Sequence, residues 1–291
     1  MRKLFLCFAA LCFAAANVCA KDVAGQVRTY KVGDFDFVAI KDMETSMGKE
    51  ILLQPNAEVV AKVMANNRNP SSINAFLVKG KNHKILIDTG IGDNGNVMKN
   101  LQAAGVEPED ITIVLITHMH GDHIGGLITQ KGEKVFPNAV IRIHVKELEY
   151  WVGDNSKDPG SSAFAKNVQS VYGDKIQTFN WGDNITPEIK ALRAFGHTPG
   201  HTIFEINSDN QKMLVIGDLI HVLKVQIADP NMAVTFDLNP KEAAESRKKV
   251  FKDVSKNKTR VAGMHIPFPG VGTLTGTTGG AYEFSPSVSV N

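Results

Sequence analysis

The sequence predicts an α/β fold, and three observations carry that reading. Apolar strand-like runs alternate with amphipathic helical stretches along most of the chain, a pattern that builds helices packed onto a sheet. Several of the strands run straight into a short polar loop bearing histidine or aspartate. Positions 21–291 contain no low-complexity linker and no heptad run, which fits one large domain.

The first twenty residues stand apart. Arg2 and Lys3 precede an apolar run from Leu4 to Ala16, and Val18-Cys19-Ala20 has the small residues of a cleavage site. Residues 1–20 therefore read as a secretory signal peptide and 21–291 as a single domain, which predicts a secreted or periplasmic protein. The run is too short to span a bilayer core of about 30 Å, so no stable membrane insertion is expected after its removal. Cys7, Cys12 and Cys19 all lie in this leader, leaving the mature chain without a thiol or a disulfide framework. Of 32 basic and 30 acidic residues, Arg2 and Lys3 leave with the leader, so 30 face 30. Such a balance argues against nucleic acid or anionic lipid as a partner.

Next, Gln26 to Ile40 reads as a hairpin about Gly33-Asp34. Lys41 to Ser72 reads as a long connection and candidate lid, holding one amphipathic piece from Asn56 to Asn67. Ile73–Val78 and Lys84–Asp88 form paired strands, Asn94–Ala104 a helix ended by Gly105, and Ile111–Ile116 a buried strand. Strands follow at Val140–Val145, Lys175–Phe179, Glu188–Phe195, His201–Ile206 and Lys212–Ile216, with a helix at Ser161–Tyr172. Asn239 to Lys256 is the clearest helix: Asn239 suits the N-cap and Pro240 the first turn, while Ala243, Ala244, Val250, Phe251 and Val254 form its buried stripe. Arg247-Lys248-Lys249 falls within it and reads as a solvated basic face. Arg260–Met264 is the last expected strand, with a loop from Gly270 to Gly280 and a loose tail from Ser285 to Asn291.

The strand at Ile111–Ile116 feeds Thr117-His118-Met119-His120-Gly121-Asp122-His123. Three imidazoles and a carboxylate in six residues are too costly to bury unpaired, and together they suit a borderline divalent cation such as zinc. His118 and His120 share a direction on an extended backbone, whereas Asp122 and His123 follow the flexible Gly121 and can address a second point. One short segment can thus feed two adjacent metals. Further strand-end residues are His197, Asp218 and His265.

The motifs T-H-M-H-G-D-H-I-G-G at 117–126, G-H-T-P-G-H-T at 196–202, G-D at 217–218 and G-M-H-I-P-F-P-G at 263–270 resemble the metallo-β-lactamase fold superfamily. That resemblance implies a four-layer αβ/βα sandwich and two Zn²⁺, other divalent metals being possible. His118, His120 and His197 would hold the first, and Asp122, His123 and His265 the second, with Asp218 bridging. Asp122 and Asp218 are the candidate catalytic carboxylates. Asp218 stands where the β-lactam-cleaving zinc enzymes have cysteine, which argues against that branch. G-D-L-I-H at 217–221, V-Q-I-A-D-P at 225–230 and the H-I-P-F-P-G run are instead similar to methyl parathion hydrolase-like and acyl-homoserine lactone lactonase-like hydrolases.

The expected reaction is hydrolysis of a small-molecule ester, a lactone or an aryl or organophosphate ester, by a hydroxide bridging the two metals. Alternatives are a glyoxalase II-like thioester hydrolase, disfavoured because no Lys or Arg follows Arg260, a β-lactamase-type amide hydrolase, and a metal-binding protein without turnover. The resemblance also makes a homodimer plausible. Among neighbouring residues, Asp88 is expected to orient a ligand histidine, His221 and Phe268 to lie on the substrate side, and His201 to be structural. Trp151, Trp181 and Phe136 are candidate pocket aromatics, and His83 and His144 have no expected role.

Overall fold

The computed structural model describes residues 25–290 except 65, 67 and 82, so the expected signal peptide lies outside the described residues. In chain order the first half contains β1 (Val27–Val32), β2 (Phe35–Gly48), β3 (Leu52–Leu53), α1 (Ala57–Val63), β4 (Arg68–Lys79), β5 (Lys84–Ile87), α2 (Val97–Ala103), β6 (Ile113–Leu115), α3 (Gly121–Ile124), β7 (Val140–His144), α4 (Val145–Val152), α5 (Pro159–Tyr172) and β8 (Ile176–Phe179). The second half adds β9 (Asn184–Thr186), β10 (Ile189–Arg193), β11 (Thr202–Ser208), β12 (Gln211–Val215), α6 (Leu223–Ala228), β13 (Ala233–Val234), α7 (Pro240–Asn257), β14 (Arg260–Ala262), β15 (Val271–Gly276) and β16 (Tyr282–Pro286).

The strands form two seven-stranded sheets, ordered β1-β2-β4-β5-β6-β7-β8 and β16-β15-β14-β12-β11-β10-β9. Alternation of side chains along each strand makes four layers of them. In β4, Phe76 and Val78 join the core between the sheets, with Phe37, Ile87, Phe204, Ile206 and Val215, whereas Ala75 and Leu77 face a core shared with Leu101, Val168 and Tyr172 of the flanking helices. In the second sheet Met213 and Val215 point inward, and Leu214 packs outward with Val250, Phe251 and Val254 of α7. The αβ/βα sandwich follows from that division. Helix α7 begins as its sequence predicts, with the Asn239 side chain accepting from Glu242 N at 3.3 Å and Pro240 in the first turn.

Three expectations need correction. The 41–72 stretch is largely sheet: β2 runs to Gly48 and β4 starts at Arg68, in antiparallel register from Asp36↔Lys79 to Gly48↔Arg68. Its sequence masks this because residues such as Glu44, Thr45 and Ser46 keep contact with solvent and show no apolar alternation. Within it, Asp42 falls out of the ladder at a bulge and turns inward, accepting from the backbone N–H groups of Ile91, Asn96 and Val97 and so capping α2. Secondly, Gly270–Gly280 is a turn only at its end, since Val271–Gly276 is β15, which pairs antiparallel with β16 at the sheet edge. The tail beyond remains tied to the first sheet by Val290 N to Thr29 O at 2.8 Å. Thirdly, Arg247 is fully buried rather than solvated, while Lys249 stays exposed. No helix among the described residues is long and apolar enough to cross a membrane.

Candidate metal centre

The polar residues cluster at the carboxyl ends of strands from both sheets. In the first sheet β5 and β6 lie parallel, so Asp88 and the 117–123 loop emerge side by side. In the second, parallel β12 and β14 deliver Asp218 and His265, and His197 follows β10. All seven predicted ligand residues come together. The donor atoms of His118, His120, His197 and Asp218 lie within 4.8 Å of one another, as do those of Asp122, His123 and His265.

Asp218 joins the two groups. Its Oδ2 is 3.6 Å from His118 Nε2, 3.4 Å from His197 Nε2 and 3.1 Å from His265 Nε2, and its Oδ1 is 3.3 Å from His123 Nε2. A fifth imidazole joins it: His221 Nε2 is 3.0 Å from Oδ2 and can form a further donor set with Asp218 and His265.

Whether a cation fits is decided by the donors themselves. His120 Nδ1 is 3.0 Å from both His118 Nε2 and His197 Nε2, which are 3.2 Å apart. Three ring nitrogens so close have no room for three protons, and their lone pairs repel unless a positive centre sits among them. Between the two groups, the buried His123 Nε2 and Asp218 Oδ1 face each other at 3.3 Å without a hydrogen-bond partner. Imidazoles, carboxylates and orphaned buried donor atoms are the chemistry of a zinc-type site.

The remote nitrogens of the histidines are held in turn, which fixes ring orientation and tautomer. His123 Nδ1 is 2.7 Å from Asp88 Oδ2, and Asp88 also accepts from Thr117 N and Oγ1 at 2.8 and 2.7 Å. Asp88 takes a left-handed φ of 58°, a region that aspartate tolerates better than most residues. His197 Nδ1 meets Asp237 Oδ1 at 2.9 Å, and His265 Nδ1 meets Ser72 O at 3.0 Å. His201 is structural: its Nδ1 donates to Ala194 O at 2.7 Å and its Nε2 accepts from Asp218 N at 2.9 Å. Gly217, with φ of 52°, permits that contact, because a Cβ there would lie 2.4 Å from His201 Nε2.

Charge follows the same geometry. Burial disfavours every charged imidazole here, and at His120, next to His197, it drives the pKa down to about 3. At His197 burial is outweighed by hydrogen bonds to Asp218 and Asp237, giving about 9, and at His265 by Asp218 and Asp122, giving about 10. Asp218 itself is held well below the carboxylate range, its burial being overcome by His123 and His265. The carboxylates therefore favour positive charge between them, the charge that a cation would supply in place of protons.

A pocket of about 400 Å³ opens at the cluster, lined by His120, Asp122, Asp218, His221 and His265, by the apolar Met47, Trp151, Phe236 and Leu238, and by the polar Asp158, Ser161 and Thr235. A roomier hollow of about 710 Å³ beside Gln54, Asp229 and Lys241 holds no histidine. Phe268, expected on the substrate side, is not among the pocket residues; its ring packs into the core between the sheets while its N–H donates to Ser72 Oγ. Trp181 stacks on His144 at 4.0 Å, and Phe136 lies in the core beneath Tyr172. His144 caps α4 by accepting from Lys146 N. Trp151 is the candidate aromatic that does reach the site, packing edge-on to His120 at 5.3 Å.

Sequence reasoning missed Asp237, Ser72, Phe236 and Leu238. Asp237 was legible only as a carboxylate between two apolar residues, Phe236 and Leu238, each 45% exposed. Ser72 contributes a backbone carbonyl, which leaves no side-chain signature.

Two adjoining His and Asp donor sets, placed where two facing sheets meet in an αβ/βα sandwich, define the class of protein. Residues 68–265 match the metallo-beta-lactamase superfamily, and the chain belongs to it. Among solved structures, hydrolase AbOPH superposes with a TM-score of 0.85 at 30% identity, covering 92% of this chain and 99% of that one. AidC, a dizinc quorum-quenching lactonase, superposes at 0.83 with 27% identity over 91% of this chain and 99% of that one. In sequence, the chain is 28% identical over 138 residues to the uncharacterised YobT of Bacillus subtilis (strain 168), the match spanning 45% of this chain and 56% of that relative. It is 26% identical over 119 residues to an N-acyl homoserine lactonase of a Bacillus species, covering 40% and 41% of the two.

Proposed function

We propose that this chain is a dinuclear zinc hydrolase of uncharged esters, lactones foremost and aryl or organophosphate esters next, working outside the cytoplasm. The observation that carries the reading is the joining of two donor sets through Asp218 in a pocket that also presents Met47, Trp151, Phe236 and Leu238. Likeness to a dizinc lactonase over nine-tenths of the chain supports it. A pair of divalent cations supplies Lewis acidity and a water that ionises near neutral pH.

The chain's own residues do the rest. His118, His120 and His197 would hold one cation and Asp122, His123 and His265 the other. Asp88 and Asp237 aim His123 and His197. Asp122 is the cluster carboxylate most open to the pocket, at 30% side-chain exposure, so it is placed to take a proton from attacking water and return it to the departing alkoxide. His221 Nε2, on the pocket wall beside Asp218, is placed to meet the substrate's polar end. Met47, Trp151, Phe236 and Leu238 offer an apolar arm a surface to lie on, and among the described residues no Lys or Arg lines the pocket to attract a substrate carboxylate.

The test is a panel of short- and long-chain lactones, an aryl phosphotriester, a β-lactam and a glutathione thioester, with metal content measured in parallel. The proposal expects two zinc ions per chain, turnover of lactones or the triester, and loss of turnover on chelation with return on zinc addition. Undiminished hydrolysis by metal-free protein, or preference for the β-lactam or thioester, would overturn it.

A further inference from the structure

Arg247 projects from the middle of α7 into the protein and has no exposed surface. Its Nε donates to Leu219 O at 2.6 Å, and its Nη1 donates to Pro230 O at 3.0 Å and Met232 O at 2.7 Å. Nη2 makes no hydrogen bond, and lies 3.9 Å from Asp237 Oδ2. Asp237 is the carboxylate behind His197: Oδ1 meets His197 Nδ1 at 2.9 Å, while Oδ2 accepts from Val234 N at 3.0 Å.

A buried guanidinium is costly to desolvate, and carbonyl dipoles with the carboxylates of Asp237 and Asp229 compensate it only in a fixed arrangement. All these partners of Arg247 fall in the single stretch 219–237. That stretch begins one residue after Asp218 and contains His221, Phe236 and the orienting Asp237. Its contacts thus concentrate on the segment that runs from the residue after Asp218 to the carboxylate behind His197.

We propose that Arg247 is a positioning residue for the metal centre, acting through Asp237 on His197 and through the Leu219 carbonyl on Asp218. Its planar fork spans three carbonyls and faces a carboxylate at once, a geometry that the single ammonium of lysine cannot reproduce. The proposal rests on the metal-binding reading above and goes beyond it, because Arg247 touches neither substrate nor any ligand side chain.

The experiment measures Zn²⁺ affinity, step by step, by competition with a chromophoric chelator for the full chain and its variants R247K, R247M, D237N and R247M/D237N. Circular dichroism and urea unfolding accompany each. Partners that orient metal ligands are worth about 10- to 100-fold in metal affinity, so R247M is expected to weaken one zinc step by that order. R247K should restore only part of the loss. Because the two residues act in series, adding R247M to D237N should weaken binding by less than R247M does alone. If R247M does not fold, R247K against D237N carries the same comparison. Wild-type zinc affinity in folded R247M or R247K, or strictly additive losses in the double variant, would overturn the proposal. Wild-type protein that takes up no zinc would instead refute the metal reading, and this inference with it.

Discussion

Glu147 gives the sharpest test of the energetics. Its carboxyl is fully buried in α4, accepting from Trp151 Nε1 at 3.3 Å through one oxygen while the other, Oε2, makes no hydrogen bond. Burial pushes its pKa from the ordinary 4.5 up to about 7, against the opposing hydrogen bond from Trp151. A folded-state pKa above the unfolded one means that the stabilisation is complete below about 4.5 and is lost as pH rises toward 7. At about 1.4 kcal/mol per pH unit, the loss amounts to about 3 kcal/mol for one side chain. The substitution Glu147→Gln keeps the acceptor for Trp151 and cannot ionise. Urea unfolding of wild type and variant at pH 5 and pH 8, with divalent cation content held constant, isolates the effect because every other titration cancels in the difference. The variant should gain on wild type by about 2 to 3 kcal/mol between the two pH values. A difference that does not change with pH would show that Glu147 titrates normally and that its burial has been misjudged.

Two further predictions concern the centre. Since His197 and His265 sit at about 9 and about 10 before a metal arrives, zinc binding at pH 7 should release protons to an indicator dye, and affinity should rise with pH between 6 and 9. Release of no proton at pH 7 would contradict that charge state. The substitution Gly217→Ala places a Cβ at φ of 52° and 2.4 Å from His201 Nε2, so it should cost about 1–2 kcal/mol or more in thermal or urea unfolding and weaken zinc binding by displacing Asp218. Wild-type stability would mean that the His201 contact has no such role.

How far the sequence reached differs from part to part. The seven candidate ligand residues were legible because their side chains are polar, lie at the ends of apolar strands, and have no other inexpensive place in a core. Asp88 was legible for the same reason, directly after β5. The ribbon of β2 and β4 was not, because its polar residues are paired through their backbones, and backbone pairing leaves little trace in side-chain pattern. Arg247 was misread since an arginine followed by two lysines looks solvated until three carbonyls from a distant segment are found to surround it.

By itself the sequence determined the α/β class, the strand-end placement of the histidines and aspartates, and the N-O donor chemistry, all of which depend on residue type and local spacing. Only the tertiary structure decided that Asp218 would serve both donor sets, that Asp237 and Ser72 would aim His197 and His265, and that Phe236 and Leu238 rather than Phe268 would wall the pocket. Those outcomes turn on how two sheets meet, and distances of 3 Å between residues up to two hundred positions apart are set by packing rather than by any local preference.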